Sequence, residues 1–376
     1  MNKIAQPLTD LSHIKETRLA QKTFFSSGTT KDIKFRIETL KALRTEIENR
    51  TEEICKALHA DLGKSKTEAY ITEVGIVLSE LNKMIKKTPA WARPRKVATP
   101  MFVLPAKSRI EPEPYGTTLI ISPWNYPFQL LFNPIIGAVA AGNTVVCKPS
   151  EFVPQTTAIS KEIIEKIFDP RHVSCVLGGI PESTALLAER WDYVFFTGSP
   201  KVGKIVYKAA AEHLTPVTLE LGGKSPCIID KTANLDTTAS RIIFGKYINC
   251  GQTCIAPDYL FVHEDIKDKL IEKLKAKVKD FYGTDPQKSE DYGRIVNERH
   301  FDRVVHLIDE SKVVFGGETD RVDKYIAPTF IDGVTKDDVI MQEEIFGPLL
   351  PILTWNKLEE VKNFINDYEK LSLIHI

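Results

Sequence analysis

Between Pro114 and Cys147 the chain carries no charged residue. A membrane-spanning helix needs about 20 consecutive apolar residues, and this run is longer than that. Yet Pro123, Pro127 and Pro134 interrupt it, and Asn125, Gln129, Asn133 and Asn143 place amides inside it. Proline removes a helix hydrogen bond and clashes with the preceding turn, so one continuous spanning helix is disfavoured. The segment reads instead as strand, loop, helix and strand buried within an α/β domain.

The rhythm continues downstream. Apolar runs at Thr117–Ser122, Thr144–Lys148, Val173–Leu177, Tyr193–Thr197 and Pro216–Leu221 predict strands. Helical periodicity lies between them, at Thr156–Phe168, Pro181–Ala188 and Lys201–Ala211. Alternation of this kind implies a mostly parallel sheet covered on both faces, with ligands at the carboxyl ends of its strands. A second α/β unit follows, with strands at Pro226–Ile229 and Tyr259–Val262 and helices at Leu235–Asn249, Asp265–Phe281 and Lys357–Asp367. A chain of 376 residues is also too long for one small core. The expected architecture is α/β, with two Rossmann-like parallel-sheet domains at 1–220 and 221–376.

Upstream, Lys31–Asn49 has helical spacing. A second helix is expected to end at Gly63, and a third, through Ile71, Val74, Leu78, Leu81 and Ile85, to stop at Pro89. About 91–114 is proline-rich and reads as a protruding β-hairpin arm, with Met101-Phe102-Val103-Leu104 as its extended part.

Fifty basic and fifty acidic residues cancel, so no general attraction to nucleic acid or anionic membrane is expected. The lysines of Asp265–Phe281 are interleaved with acids and read as a solvated face. No apolar leader begins at Met1–Pro7. The six cysteines form no CxxC pair and have no zinc spacing, so no metal is expected and a reduced, cytoplasmic setting is the simplest reading.

Three motifs carry chemistry. Asn249-Cys250-Gly251-Gln252-Thr253-Cys254-Ile255-Ala256-Pro257 sets a cysteine in an uncharged loop. Most cysteines are buried and inert, so the loop alone does not make Cys254 a nucleophile. Thr218-Leu219-Glu220-Leu221-Gly222-Gly223 ends an apolar strand on one carboxylate; burial there would raise the pKa of Glu220 and suit it to act as a base. Ser122-Pro123-Trp124-Asn125-Tyr126-Pro127 holds an amide between prolines, although turn residues often bond their own backbone. Nucleophile, base and amide donor are the parts of acyl transfer through a thioester. There is no GxGxxG fingerprint. Phe196-Thr197-Gly198-Ser199-Pro200-Lys201-Val202-Gly203 follows a strand and opens a helix, where phosphate can bind, but this signal is weak by itself.

With Lys148-Pro149-Ser150-Glu151 and Glu343-Glu344-Ile345-Phe346-Gly347-Pro348, these motifs resemble the aldehyde dehydrogenase family, nearest its shorter class-3 branch for fatty and aromatic aldehydes. The resemblance runs from about Phe24 to Asp367. It implies NAD(P)-dependent oxidation of an aldehyde to a carboxylic acid, with Cys254 as nucleophile, Glu220 as general base and Asn125 as oxyanion donor. It places Thr197, Gly198, Ser199 and Gly203 at the cofactor, with Ser199 by the pyrophosphate. Lys148 and Glu151 belong to the adenosine ribose, Glu344 to the nicotinamide ribose, and Phe346 beside it. An acid at Glu151 favours NAD over NADP. The family's hairpin joins an oligomer-bridging sheet, so full-length relatives are expected to be homodimers. The chain stops where relatives continue, and Lys370-Leu371-Ser372 departs from their Lys-Pro pattern. A truncated chain with an unpaired strand edge, low activity and a doubtful dimer is therefore expected, with Leu371–Ile376 beginning a strand. The rival readings are a catalytically impaired fragment, a cofactor-independent cysteine esterase or acyltransferase, and a CoA-acylating dehydrogenase, against which Glu220 argues.

Overall fold

The computed structural model describes residues 9–368, 371 and 373–375. Expectations that rested on Met1–Pro7, Lys370, Ser372 and Ile376 lie outside the described residues. The chain divides into two compact units. The first comprises Met1–Ala57 and Ala69–Glu220, and the second Leu58–Glu68 and Leu221–Ile376.

In the first unit, five strands are ordered Val173–Cys175, Thr144–Lys148, Thr117–Ile121, Tyr193–Gly198 and Val217–Leu221. Thr117–Ile121 pairs in parallel with both Thr144–Lys148 and Tyr193–Gly198. Every residue of the two Thr117–Ile121 and Thr144–Lys148 strands is buried, as expected of a parallel sheet covered on both faces. The uncharged run resolves into strand, loop, helix Gln129–Ala141 and strand, with Pro134 accommodated inside the helix. Two upstream expectations change. Pro89 does not stop its helix, which runs Gly75–Trp91 after a π-turn at Tyr70–Val74. Nor is Met101–Leu104 extended: Met101–Val103 is a 3₁₀ turn, and the hairpin pairs Arg95–Val97 with Ser108–Ile110. Pro100 and Pro105 flank the turn and cannot donate to a ladder, so pairing moves outward.

The second unit has strands in the order Val313–Phe315, Thr329–Asp332, Leu349–Trp355, Tyr259–His263 and Pro226–Ile229. The first pair is antiparallel and the rest are parallel. The Pro226–Ile229 edge is not bare. His375 forms a parallel bridge with Cys227, donating its N–H to the Pro226 carbonyl and accepting from Ile228 N. Of the strand expected at Leu371–Ile376, this one bridge is what the described residues contain. No described helix is long and apolar enough to cross a membrane.

Candidate active site and cofactor-binding elements

The Cys254 loop follows helix Leu235–Tyr247. Asn249, Cys250 and Gly251 take φ of 52°, 55° and 75°, three consecutive left-handed residues that turn the chain back sharply. For non-glycine residues this conformation costs about 1–2 kcal/mol each, so the surroundings must hold it. They do so with buried hydrogen bonds. Glu68 accepts from Asn249 N at 2.8 Å, and the Gln252 amide donates to the Asn249 and Arg294 carbonyls at 3.0 Å while accepting from Val296 N at 3.0 Å. A Cβ on Gly251 would collide with the Gly347 carbonyl, so this close backbone approach requires glycine. Cys55, Cys147, Cys227 and Cys250 are buried, whereas Cys175 and Cys254 are partly accessible. Of those two, only Cys254 sits in a loop; Cys175 ends a strand. Burial pushes the Cys250 thiol up to about 12, consistent with a packing role.

Asn125 is buried in the first unit, in the loop before helix Gln129–Ala141. That loop is pinned by a carboxylate that sequence reading did not single out. Buried Glu73 accepts from Phe128 N at 2.8 Å and Gln129 N at 3.1 Å, satisfying free donors at the helix start. Glu73 sits in the π-turn, and such turns recur at functional sites. Glu220 ends strand Val217–Leu221 as expected, but it is exposed. The apolar burial expected around it is absent, because the strand's last two residues face solvent.

The residues of the first unit expected at the cofactor present groups suited to an anion. Ser199 caps helix Pro200–Ala211, its hydroxyl accepting from Val202 N at 3.4 Å, with Pro200 at the first position. The first-turn N–H groups of a 12-residue helix attract phosphate. Thr197 precedes it with a buried hydroxyl that has no hydrogen-bond partner, available to a ligand. Gly198 completes the turn and Gly203 is buried on the helix. Lys148 is buried, its Nζ bonded to the Pro149 carbonyl and to Glu151 Oε2, both at 3.2 Å.

Glu344 and Phe346 lie in the second unit. Phe346 has φ 49°, an uncommon value for a bulky residue. The Glu344 carboxylate lies against Gly222, where a Cβ would collide with it, and accepts from Gly223 N–H. Burial first, then the negative charge of Asp258, pushes its pKa up to about 7.

The family model of the aldehyde dehydrogenases matches residues 9–370. The chain belongs to the aldehyde dehydrogenase family. It is 51% identical over 351 residues to 4,4'-diaponeurosporen-aldehyde dehydrogenase of Staphylococcus aureus, covering 93% of this chain and 76% of that relative. It is 47% identical to the dimeric NADP-preferring aldehyde dehydrogenase of Rattus norvegicus, covering 97% and 81%. Among solved structures, the substrate-bound state of Staphylococcus aureus AldH matches with a TM-score of 0.92 and 50% identity, over 94% of this chain and 78% of that one. As an aldehyde dehydrogenase, the protein is an oxidoreductase acting on aldehydes with NAD(P), and its α/β fold is the one these relatives share.

Proposed function

We propose that this aldehyde dehydrogenase converts medium- or long-chain aliphatic or aromatic aldehydes to carboxylic acids through a thioester on Cys254. The observation that carries the reading is a partly accessible cysteine in a loop whose strained backbone is held by buried hydrogen bonds. The Cys254 thiolate adds to the aldehyde carbon, forming a C–S bond and an oxyanion. The Asn125 side-chain amide and the Cys254 backbone N–H donate to that oxyanion. When bound, NAD(P) supplies the hydride acceptor that turns this adduct into a thioester. Glu220 then takes a proton from water, whose oxygen attacks the thioester carbon; the C–S bond breaks, releasing the acid and the thiol. Exposure of Glu220 leaves the carboxylate reachable by water.

The two units divide the work: 1–220 supplies most of the cofactor elements, and 221–376 the nucleophile with Glu344 and Phe346. NAD is the preferred cofactor on this reading, because the Glu151 carboxylate beside Lys148 repels a 2′-phosphate. The arm exposes Met101, Phe102 and Leu104 at 85%, 88% and 61%, which favours its use as a homodimer surface. Six cysteines with no disulfide among the described residues favour a reducing, cytoplasmic setting. The test is NADH formation with an aldehyde series, comparing NAD and NADP. Cys254→Ala is expected to lower the rate by about a thousandfold or more while NAD still binds. Retention of most of the rate would sink Cys254 as nucleophile, and a clear NADP preference would remove the role given to Glu151.

A further inference from the structure

Past helix Leu358–Asn366, His375 lies back on the edge of the second sheet and reaches the Cys254 loop with its side chain. Its backbone is pinned to strand Pro226–Ile229: the His375 N–H donates to the Pro226 carbonyl at 2.9 Å, and its carbonyl accepts from Ile228 N at 2.8 Å. From that position the imidazole Nε2 lies 2.9 Å from the Ile255 carbonyl oxygen. A carbonyl oxygen only accepts, so Nε2 carries the hydrogen and donates it. Ile255 follows Cys254 directly in the chain, yet the reaction above makes no use of this contact.

The contact falls on the turn that presents the thiol. Ala256 N donates to the Thr253 carbonyl at 3.0 Å, closing a turn with Cys254 and Ile255 at its crest. Thr253 and Ala256 are buried, Cys254 is partly accessible and Ile255 is exposed. The two ends are fixed by the protein's interior. Gln252 bonds the Asn249 and Arg294 carbonyls at the entry, and Asp258 N donates to the Ser225 carbonyl at 2.8 Å at the exit. An exposed crest can tilt about such ends unless something outside it takes hold. His375 supplies that hold. Leu371, earlier in the same segment, is seated too: its Cδ2 would lie 3.1 Å from a Cβ at Gly223, and it lines a small cavity with Lys224 and Tyr259.

We propose that His375 is a positioning residue for Cys254. Its ring N–H fixes the Ile255 carbonyl, and with it the angle at which the turn offers the thiol and the Cys254 backbone N–H to an aldehyde. The part of Cys254 as nucleophile rests on the function proposed above; the hold of His375 on the turn does not. A nucleophile must be kept close to its productive geometry by the groups behind it, so a loosened crest slows attack without weakening aldehyde binding.

The test separates the ring from the strand pairing. His375→Phe keeps the backbone bridge and removes the donor, while His375→Gln carries an amide donor of similar reach. Amide hydrogen exchange at Ala256, in the ligand-free protein, reads the hold on the turn. It is expected to quicken about three- to tenfold in His375→Phe, the effect of losing one ordinary hydrogen bond, and to return toward wild type in His375→Gln. Single-turnover NADH formation, with enzyme in excess over aldehyde and NAD saturating, reads attack and hydride transfer whatever the fraction of active protein. Its limiting rate constant should fall about three- to tenfold in His375→Phe and recover in His375→Gln, with the half-saturating enzyme concentration unchanged within about twofold. Should His375→Phe fail to fold in thermal melts, His375→Asn, whose shorter amide falls short of Ile255, takes its place with the same expectations. Unchanged exchange without the donor overturns the hold. Faster exchange with an unchanged rate constant keeps the hold and overturns the positioning of Cys254. Equal losses in His375→Phe and His375→Gln assign the effect to the imidazole's shape and overturn the proposal. No turnover by the wild-type protein with any aldehyde strikes the function proposed above and the positioning with it, while the exchange result still decides the hold.

Discussion

The two units of this aldehyde dehydrogenase each carry a five-stranded sheet, but they handle charge in opposite ways. In the first, the groups at the strand ends include hydroxyls, backbone N–H groups, a lysine already paired with Glu151, and Glu220, which faces solvent. Its buried ring His172 is packed among Phe24, Phe35 and Phe168 and is held neutral, burial lowering its pKa to about 4. In the second, Lys246 is fully buried and Glu344 half-buried, and both have pKa values moved toward neutrality. Dipoles suffice to hold a phosphate of fixed charge. A group whose protonation must be set needs charges around it, and those cost stability.

The largest expected effect would break the division of roles between the units. Glu220→Gln should keep a single-turnover burst of NADH but slow steady turnover by about 10²–10⁴, the usual contribution of a general base. Unchanged steady-state rates would move the base elsewhere.

Next comes the second unit's loop. Gly251→Ala meets the Gly347 carbonyl and keeps a left-handed φ, so a loss of about 2–5 kcal/mol is expected from overpacking and backbone strain together. Chemical denaturation measures it, and a loss below about 1 kcal/mol would show that the loop can relax.

The first unit is expected to be acid-labile through His172. Its folded pKa, about 4, is below the ordinary 6.5, so the unfolded chain binds the extra proton between those values. Stability is full above pH 6.5 and falls as pH drops toward 4, by up to about 3 kcal/mol. His172→Leu should flatten that limb in thermal melts, and an unchanged limb would point to other groups.

The smallest effect concerns Lys246. Its folded pKa of about 8 lies below 10.5, so its penalty is complete below pH 8 and fades as pH rises to 10.5. Lys246→Met should therefore gain about 1–2 kcal/mol at pH 7. A loss instead would mean that the cation supports the fold and that the contrast between the units is overdrawn.

Most strands and helices were legible because burial on both sheet faces and helical periodicity leave plain patterns, as at Thr117–Ile121 and Thr144–Lys148. Misreadings came from context. Pro89 near a helix end is tolerated because only the last turn must adjust. Met101–Leu104 has strand-like residues but no partner between its flanking prolines. Leu58–Glu68 carries helical spacing that says nothing of the unit it packs with. Glu220 was placed on its strand end correctly, but solvent exposure is not written in local sequence. Glu73 meets Phe128 across 55 positions and Asp258 meets Ile345 across 87, and no local pattern announces such meetings.

The contact of Gly251 with the Gly347 carbonyl also shapes how this gene can drift. In a saturation screen, tolerance around Cys254 should fall as a step rather than a slope. Exposed Ile255 should accept many residues, while Gly251 and Gly347 should accept almost none. The two glycines are 96 positions apart in the chain and should fail for different reasons: a side chain at 251 meets the Gly347 carbonyl, and one at 347 meets the side chain of Val304.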